Sequence, residues 1–322
     1  MTRTRIVRGD IVEVLSPADI VATLDAEGCL DGLPFMPEMT TYCGKKYRVH
    51  RRADRTCVEG LGMRRLHRTV FLEELRCDGA GHDGCQRGCL MFWKEAWLKP
   101  VAAHNGTIGP TPVADPAAAA ALNARLPTRS GDTYVCQSTA LATTTSPLSF
   151  WSPLLLVREM IDGELAPGRF LAIVARTLVN RGRIAISLAP VGALRGTRTR
   201  PPKGDLHLAS GERVTIKPGD KIVDTLDPKG RNCGLSFEPD MAEFTGKTFE
   251  VDAPVTRIIQ ERSGRMTQLA STVTLKGIGC HGLCAKNCPR NNPVYWREIW
   301  LDRAEDAVTA EPVTKNAPAT AA

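Results

Sequence analysis

Residues 20–39, Ile20-Val21-Ala22-Thr23-Leu24-Asp25-Ala26-Glu27-Gly28-Cys29-Leu30-Asp31-Gly32-Leu33-Pro34-Phe35-Met36-Pro37-Glu38-Met39, return two hundred residues later as Ile222-Val223-Asp224-Thr225-Leu226-Asp227-Pro228-Lys229-Gly230 and onward to Gly234-Leu235, Phe237, Pro239 and Met241. The register is 202 over this stretch. It becomes 203 further on, where Thr69-Val70, Cys77, Gly79, Cys85, Trp93, Glu95 and Trp97 match Thr272-Val273, Cys280, Gly282, Cys288, Trp296, Glu298 and Trp300. A fixed-period self-match of this length identifies a duplicated module. The modules occupy residues 1–100 and 205–304, separated by a linker and helical segment over 101–204 and followed by a tail, 305–322, whose Ala, Thr and Pro content reads as disordered.

Within a module the signals are mostly β. Ile11 to Leu15 reads as a strand, Ser16-Pro17 opens a short helix with a capping residue and a proline at the first position, and runs at 47–52, 68–72 and 92–98 supply further strands. About 90 residues with four or five short strands and glycine-rich turns close most easily as a small antiparallel barrel. The fold class is therefore mainly β with a helical insert: two SH3-like barrels. In the insert, helices are expected over 154–161, ending at Gly163, and over 168–180, with Leu171, Val174, Ala175 and Leu178 on one face and Gly182 as its cap.

The chain of 322 residues carries 43% hydrophobic and 24% charged residues, ordinary globular values that exclude wholesale disorder. Its apolar runs are too short for a membrane span, and the N-terminus has no apolar export signal, so a cytoplasmic protein is expected. Eleven cysteines in a reducing compartment then point to metal ligation more than to disulfides. Cys77, His82, Cys85 and Cys89 fall on one loop of the first module, with Cys43 in a nearby turn. Cys280, Cys284 and Cys288 occupy the matching loop of the second. Thiolate-rich sets suit zinc or an iron–sulfur cluster; buried structural cysteines and a redox pair are the alternatives. No Cys-x-x-Cys occurs, which argues against a zinc ribbon and a thioredoxin-type pair. Pro289 after Cys288 is a feature of some iron–sulfur loops.

Two further features bear on partners. Between Lys45 and Arg68 lie nine basic residues against Asp54 and Glu59, and Arg48, Arg51, Arg52, Arg64 and Arg65 are candidates to meet an anionic partner such as nucleic acid. Trp93 and Trp97 are either a core cap, with Glu95 pairing an arginine, or a stacking platform. Gly277 to Gly282 fits G-x-G-x-x-G literally, but no βαβ unit surrounds it, so a dinucleotide site is rejected. No nucleophile elbow or phosphate loop is present. The expectation is a non-catalytic, metal-binding tandem-barrel protein with a protein or anionic partner, or alternatively an iron–sulfur redox enzyme or electron-transfer component.

The opening Gly-Asp-x-Val of each module and the Gly44 turn resemble the small barrels of the nitrile hydratase β-subunit or KOW type. The wider pattern, including Tyr42-Cys43-Gly44, Cys136-Gln137 and Tyr295 to Trp300, resembles a group of uncharacterised Cys-rich bacterial proteins. The resemblance implies architecture and carries no activity.

Overall fold

The computed structural model describes residues 5–101, 115–148, 153–282 and 287–304. The expected tail at 305–322, Cys284 and most of the expected linker at 102–114 lie outside them. Each repeat is mainly β, as expected, and forms a five-stranded sheet curled into a half-barrel. In the first the strands run Leu90–Lys94, Thr69–Arg76, Lys46–Arg52, Ile11–Val14, Leu98–Val101 across the sheet, with antiparallel pairing throughout. The order is a meander whose last strand returns beside the first. A single 3-10 turn, Glu95–Trp97, makes that return. Curl comes from bulges, between Val49 and Arg51 and between Phe71 and Arg76, since an unpaired extra residue bends a strand and raises its twist. The second repeat has the same order over Pro293–Arg297, Thr272–Gly279, Thr248–Pro254, Arg213–Ile216 and Leu301–Arg303. It keeps a bulge at the matching point, between Val251 and Ala253.

The aromatic cores are copies of one another. Phe35 meets Trp93 and Trp97 edge-on at 6.1 and 5.2 Å, and Phe237 meets Trp296 and Trp300 edge-on at 6.2 and 5.4 Å. Trp97 Nε1 donates to Thr23 Oγ1 at 3.1 Å, as Trp300 Nε1 does to Thr225 Oγ1 at 3.0 Å. Trp93 and Trp97 are both 0% exposed. They cannot stack on a partner, so their expected partner-binding role is corrected: they are core, and Trp97 sits in the 3-10 turn rather than on a strand. Glu95 does pair with an arginine, Arg52, at 2.6 Å. Trp97→Ala is expected to cost about 3–5 kcal/mol and Trp97→Phe about 1 kcal/mol, for the lost indole hydrogen bond, read from denaturant midpoints.

The chain packs as two compact units that do not follow the sequence repeat. One comprises residues up to Val191 with Val255–Ala270 and Gly279–Val294; the other comprises Gly192–Pro254, Ser271–Ile278 and residues from Tyr295. Two stretches of the second repeat, a hairpin and the cysteine loop, thus belong to the first unit. The reason is a reciprocal contact. Cys85 in the first cysteine loop accepts the Ile259 N–H at 3.3 Å, and its counterpart Cys288 accepts the Cys57 N–H at 3.3 Å. Arg87 donates to Ile259 O at 2.8 Å, and its counterpart Arg290 donates to Cys57 O at 2.9 Å. Cys57 and Ile259 are themselves equivalent, 202 residues apart. Each repeat's hairpin lies against the other repeat's cysteine loop.

The expected linker is only partly one. Helix Pro116–Asn123, the two-residue strands Arg129–Ser130 and Thr133–Tyr134, and helix Gln137–Thr144 are spaced as the module's own Pro17–Val21, Cys29–Leu30, Leu33–Pro34 and Pro37–Tyr42 are. From the strands onward the offset is 100. Asp115, capping Ala117 and Ala118, stands where Ser16 caps Asp19. This is a third, partial copy, and Leu122, Leu126 and Leu141 bury in the core of the first module. Beyond it, helices Pro153–Ile161 and Pro167–Ala185 pack through Leu156, Leu165 and Ile173. The second helix runs through Gly182 instead of ending there. The expected apolar face, Leu171, Val174 and Leu178, is exposed. Among the described residues, no helix is long and apolar enough to cross a membrane.

Candidate metal centre

The first cysteine loop leaves the strand Thr69–Arg76 and returns as Leu90–Lys94, with Cys77 N–H donating to Cys89 O at 2.8 Å across its neck. Inside it the chain turns back on Gly79, which has φ 73°, and a Cβ there would stand 2.1 Å from Cys85 O. Only glycine permits both the left-handed backbone and that approach. Gly282 repeats the arrangement against Cys288, with φ 68° and 2.5 Å to its nitrogen.

The loop wraps one wall of a cavity lined by Cys77, His82, Cys85, Cys89 and Cys136, with Met36, Leu90, Phe92 and Ile259 as apolar neighbours. Three of the sequence-expected thiols therefore meet in one place. Cys136, in sequence only one of several possible extra ligands outside the Cys-rich loops, joins them from the partial copy. It stands at the N-terminus of helix Gln137–Thr144, and Gln137 fixes that end. The Gln137 carboxamide accepts from Phe92 N–H at 2.8 Å and donates to Phe92 O at 2.8 Å and Pro34 O at 3.1 Å. It thereby satisfies the unpaired backbone of the edge strand Leu90–Lys94 and holds Cys136 beside Cys89. Burial pushes the Cys77, Cys85 and Cys136 thiols up, so all three favour the neutral form until a cation enters.

His82 and Glu38 sit at the edge of the cavity. His82 Nδ1 lies 2.6 Å from Glu38 Oε1, and Nε2 lies 2.9 Å from Val135 O. Both neighbours are acceptors, so both ring nitrogens carry protons. Burial is the largest single influence and lowers the imidazole, but the hydrogen bond and negative charge of Glu38, with the Val135 carbonyl, together outweigh it and the net shift is upward. Burial is the largest single influence and raises Glu38, but the His82 bond and charge, with the backbone N–H donors, together more than reverse it. A metal ligand needs a bare nitrogen. His82 would offer Nδ1 on losing that proton, with Nε2–H on Val135 O orienting the ring as outer-shell bonds do. Glu38, Cys77 and His82 are the one donor group among the described residues whose ligand atoms all lie within 4.8 Å. Glu38 Oε2 is buried and has no hydrogen-bond partner.

The other expected ligands are elsewhere. Cys43 is 1% exposed in the apolar core, where burial raises it to about 12; it does not line the cavity, and its placement as a ligand is corrected. Cys280 closes the neck of the second loop through its N–H to Asn292 O, outside the cavity. Cys288 is buried against Cys57, with Arg290 nearby. The interaction of the two thiols draws Cys288 down and pushes Cys57 up. Arg290 binds Glu261 at 2.7 Å and Ser138 Oγ at 3.1 Å, and Ser138 Oγ in turn lies 3.3 Å from Cys89 Sγ.

The basic stretch is largely spent on internal pairs. Arg51 and Arg55 meet Glu159 at 3.5 and 2.5 Å, Arg52 meets Asp54 at 2.7 Å, and Arg48 meets Glu73 at 3.8 Å. Arg64 donates to Thr145 Oγ1 and O at 2.7 and 2.6 Å. Arg52 is 6% exposed, which corrects its assignment to an anion-binding face. Arg48, Arg65 and Arg68 remain exposed.

Comparison with known protein families, with curated proteins and with solved structures returns no match for this chain.

Proposed function

We propose that the protein is a metal-centre protein that carries an iron–sulfur cluster on Cys77, Cys85, Cys89 and Cys136 and serves as a redox or electron-transfer component. The observation that supports it is the meeting of four thiols from two separate parts of the chain in one largely apolar cavity. A single tetrahedral zinc ion, with Zn–S near 2.3 Å, needs sulfurs only about 3.8 Å apart. Among the described residues, no three of these thiols lie within 4.8 Å of one another, a spread that suits a larger centre. Apolar walls would exclude water from the cluster and tune its potential.

The tight group Glu38, Cys77 and His82 favours a second reading, zinc bound at the cavity edge. Cys77 is common to both and Cys136 is not. Protein purified anaerobically is expected to be brown, with visible absorption and near-stoichiometric iron and acid-labile sulfide, and to lose both in Cys77→Ser and Cys136→Ser. Colourless protein with stoichiometric zinc, lost in Cys77→Ser and kept in Cys136→Ser, would establish the second reading. Absence of bound metal in the wild type would end both.

A further inference from the structure

We propose that Cys57 and Cys288 form a redox-active dithiol that exchanges with low-molecular-weight disulfides, separate from the metal cavity. The reciprocal packing of hairpin and cysteine loop creates two equivalent contacts. At one, Cys85 meets Ile259; at the other, Cys288 meets Cys57. Only the second sets two thiols face to face, because the hairpin position that is isoleucine in one repeat is cysteine in the other. Cys288 Sγ accepts the Cys57 N–H at 3.3 Å, and the two thiols act on each other's ionisation in opposite directions.

The surroundings stabilise one negative charge on the pair. Arg290, 6% exposed, is anchored on Cys57 O and Glu261, and its guanidinium acts on Cys288 electrostatically. A cation and an N–H donor beside a thiol are the features that make a cysteine reactive. Access is unequal: Cys288 is buried, whereas Cys57 is partly exposed beside the exposed turn Glu59-Gly60-Leu61. An incoming disulfide therefore meets Cys57 first.

The exchange balances in two steps. Cys57 sulfur attacks one sulfur of the small disulfide, whose S–S bond breaks to release a thiolate, while the Cys57 proton passes to the neighbouring Cys288 sulfur. Cys288 then gives that proton to the released thiolate, attacks the mixed disulfide at Cys57 and expels the second thiolate. The two protein thiols are oxidised by two electrons, and the small disulfide is reduced to two thiol equivalents. The product links hairpin residues 55–65 to the loop that carries Arg290.

The test uses the reduced full-length protein, exposed anaerobically to graded mixtures of oxidised and reduced glutathione, quenched with N-ethylmaleimide and mapped by mass spectrometry. The expected result is a Cys57–Cys288 linked peptide as the first disulfide to form, with both residues losing their maleimide label together. In Cys288→Ser a stable glutathione adduct is expected to remain on Cys57. A persistent glutathione adduct on Cys57 in the wild type, or another cysteine pair linking first, would overturn the proposal. Wild-type mapping decides the matter even where the variant fails to fold.

Discussion

Residues 1–101 expressed alone are expected to give no cooperative thermal transition and to retain no metal, although they contain every strand of the first half-barrel. The physical reason is what the fragment lacks. Leu122, Leu126 and Leu141 complete its core, and fully burying an aliphatic side chain contributes about 1.5–3 kcal/mol, so their loss alone approaches the whole stability of a small domain. Removing Gln137 also strips the partners from Phe92 N–H, Phe92 O and Pro34 O, at about 1–3 kcal/mol for each buried group left unsatisfied. The cavity would lose Cys136 and the Ile259 wall. Circular dichroism melts and metal analysis of the fragment, beside the full chain, check this. A cooperative melt with full metal loading would show that the sequence repeat and the folding unit coincide after all.

Arg290→Met is expected to destabilise the protein by about 3–5 kcal/mol, the effect of breaking a buried ion pair on one side only. Glu261 has a side chain 3% exposed and is shared by Arg290 at 2.7 Å and Arg87 at 3.2 Å, while its other oxygen accepts the Glu59 N–H at 2.9 Å. Methionine fills the volume of the arginine stem but leaves Cys57 O and Ser138 Oγ without their donor. The double variant Arg290→Met with Glu261→Gln is expected to recover part of the loss, since the carboxylate no longer needs a second cation. Lys276→Met, at an exposed pair with Glu250, serves as the reference and should change stability by less than about 1 kcal/mol. Urea unfolding of the four proteins measures all of these. A loss from Arg290→Met no larger than from Lys276→Met would mean that the Glu261 pair is not the lock between hairpins and loops.

Much of the architecture was legible in the chain before any coordinates. The register of 202, then 203, residues between matching Gly, Leu, Phe and Trp positions specifies two copies of one half-barrel, because each of those residues answers a local demand: a turn, a strand face or a core site. The cysteine loop was legible for the same reason, since Cys77, Gly79 and Cys85 repeat at fixed spacing. Three things were decided by tertiary structure alone. Which thiols meet depends on where helix Gln137–Thr144 docks, and that follows from a side-chain amide finding an open strand edge, which no spacing encodes. The partial third copy kept the caps and turns of its relatives and none of their tryptophans or cysteine spacing, so it shares geometry without a sequence signature. The fate of the arginines between Arg48 and Arg64 depends on acids supplied from 95 and from 159, distant in sequence and near in space. Local pattern fixes what each segment becomes; long-range burial of unsatisfied polar groups decides which segments must meet, and with them the chemistry of the site.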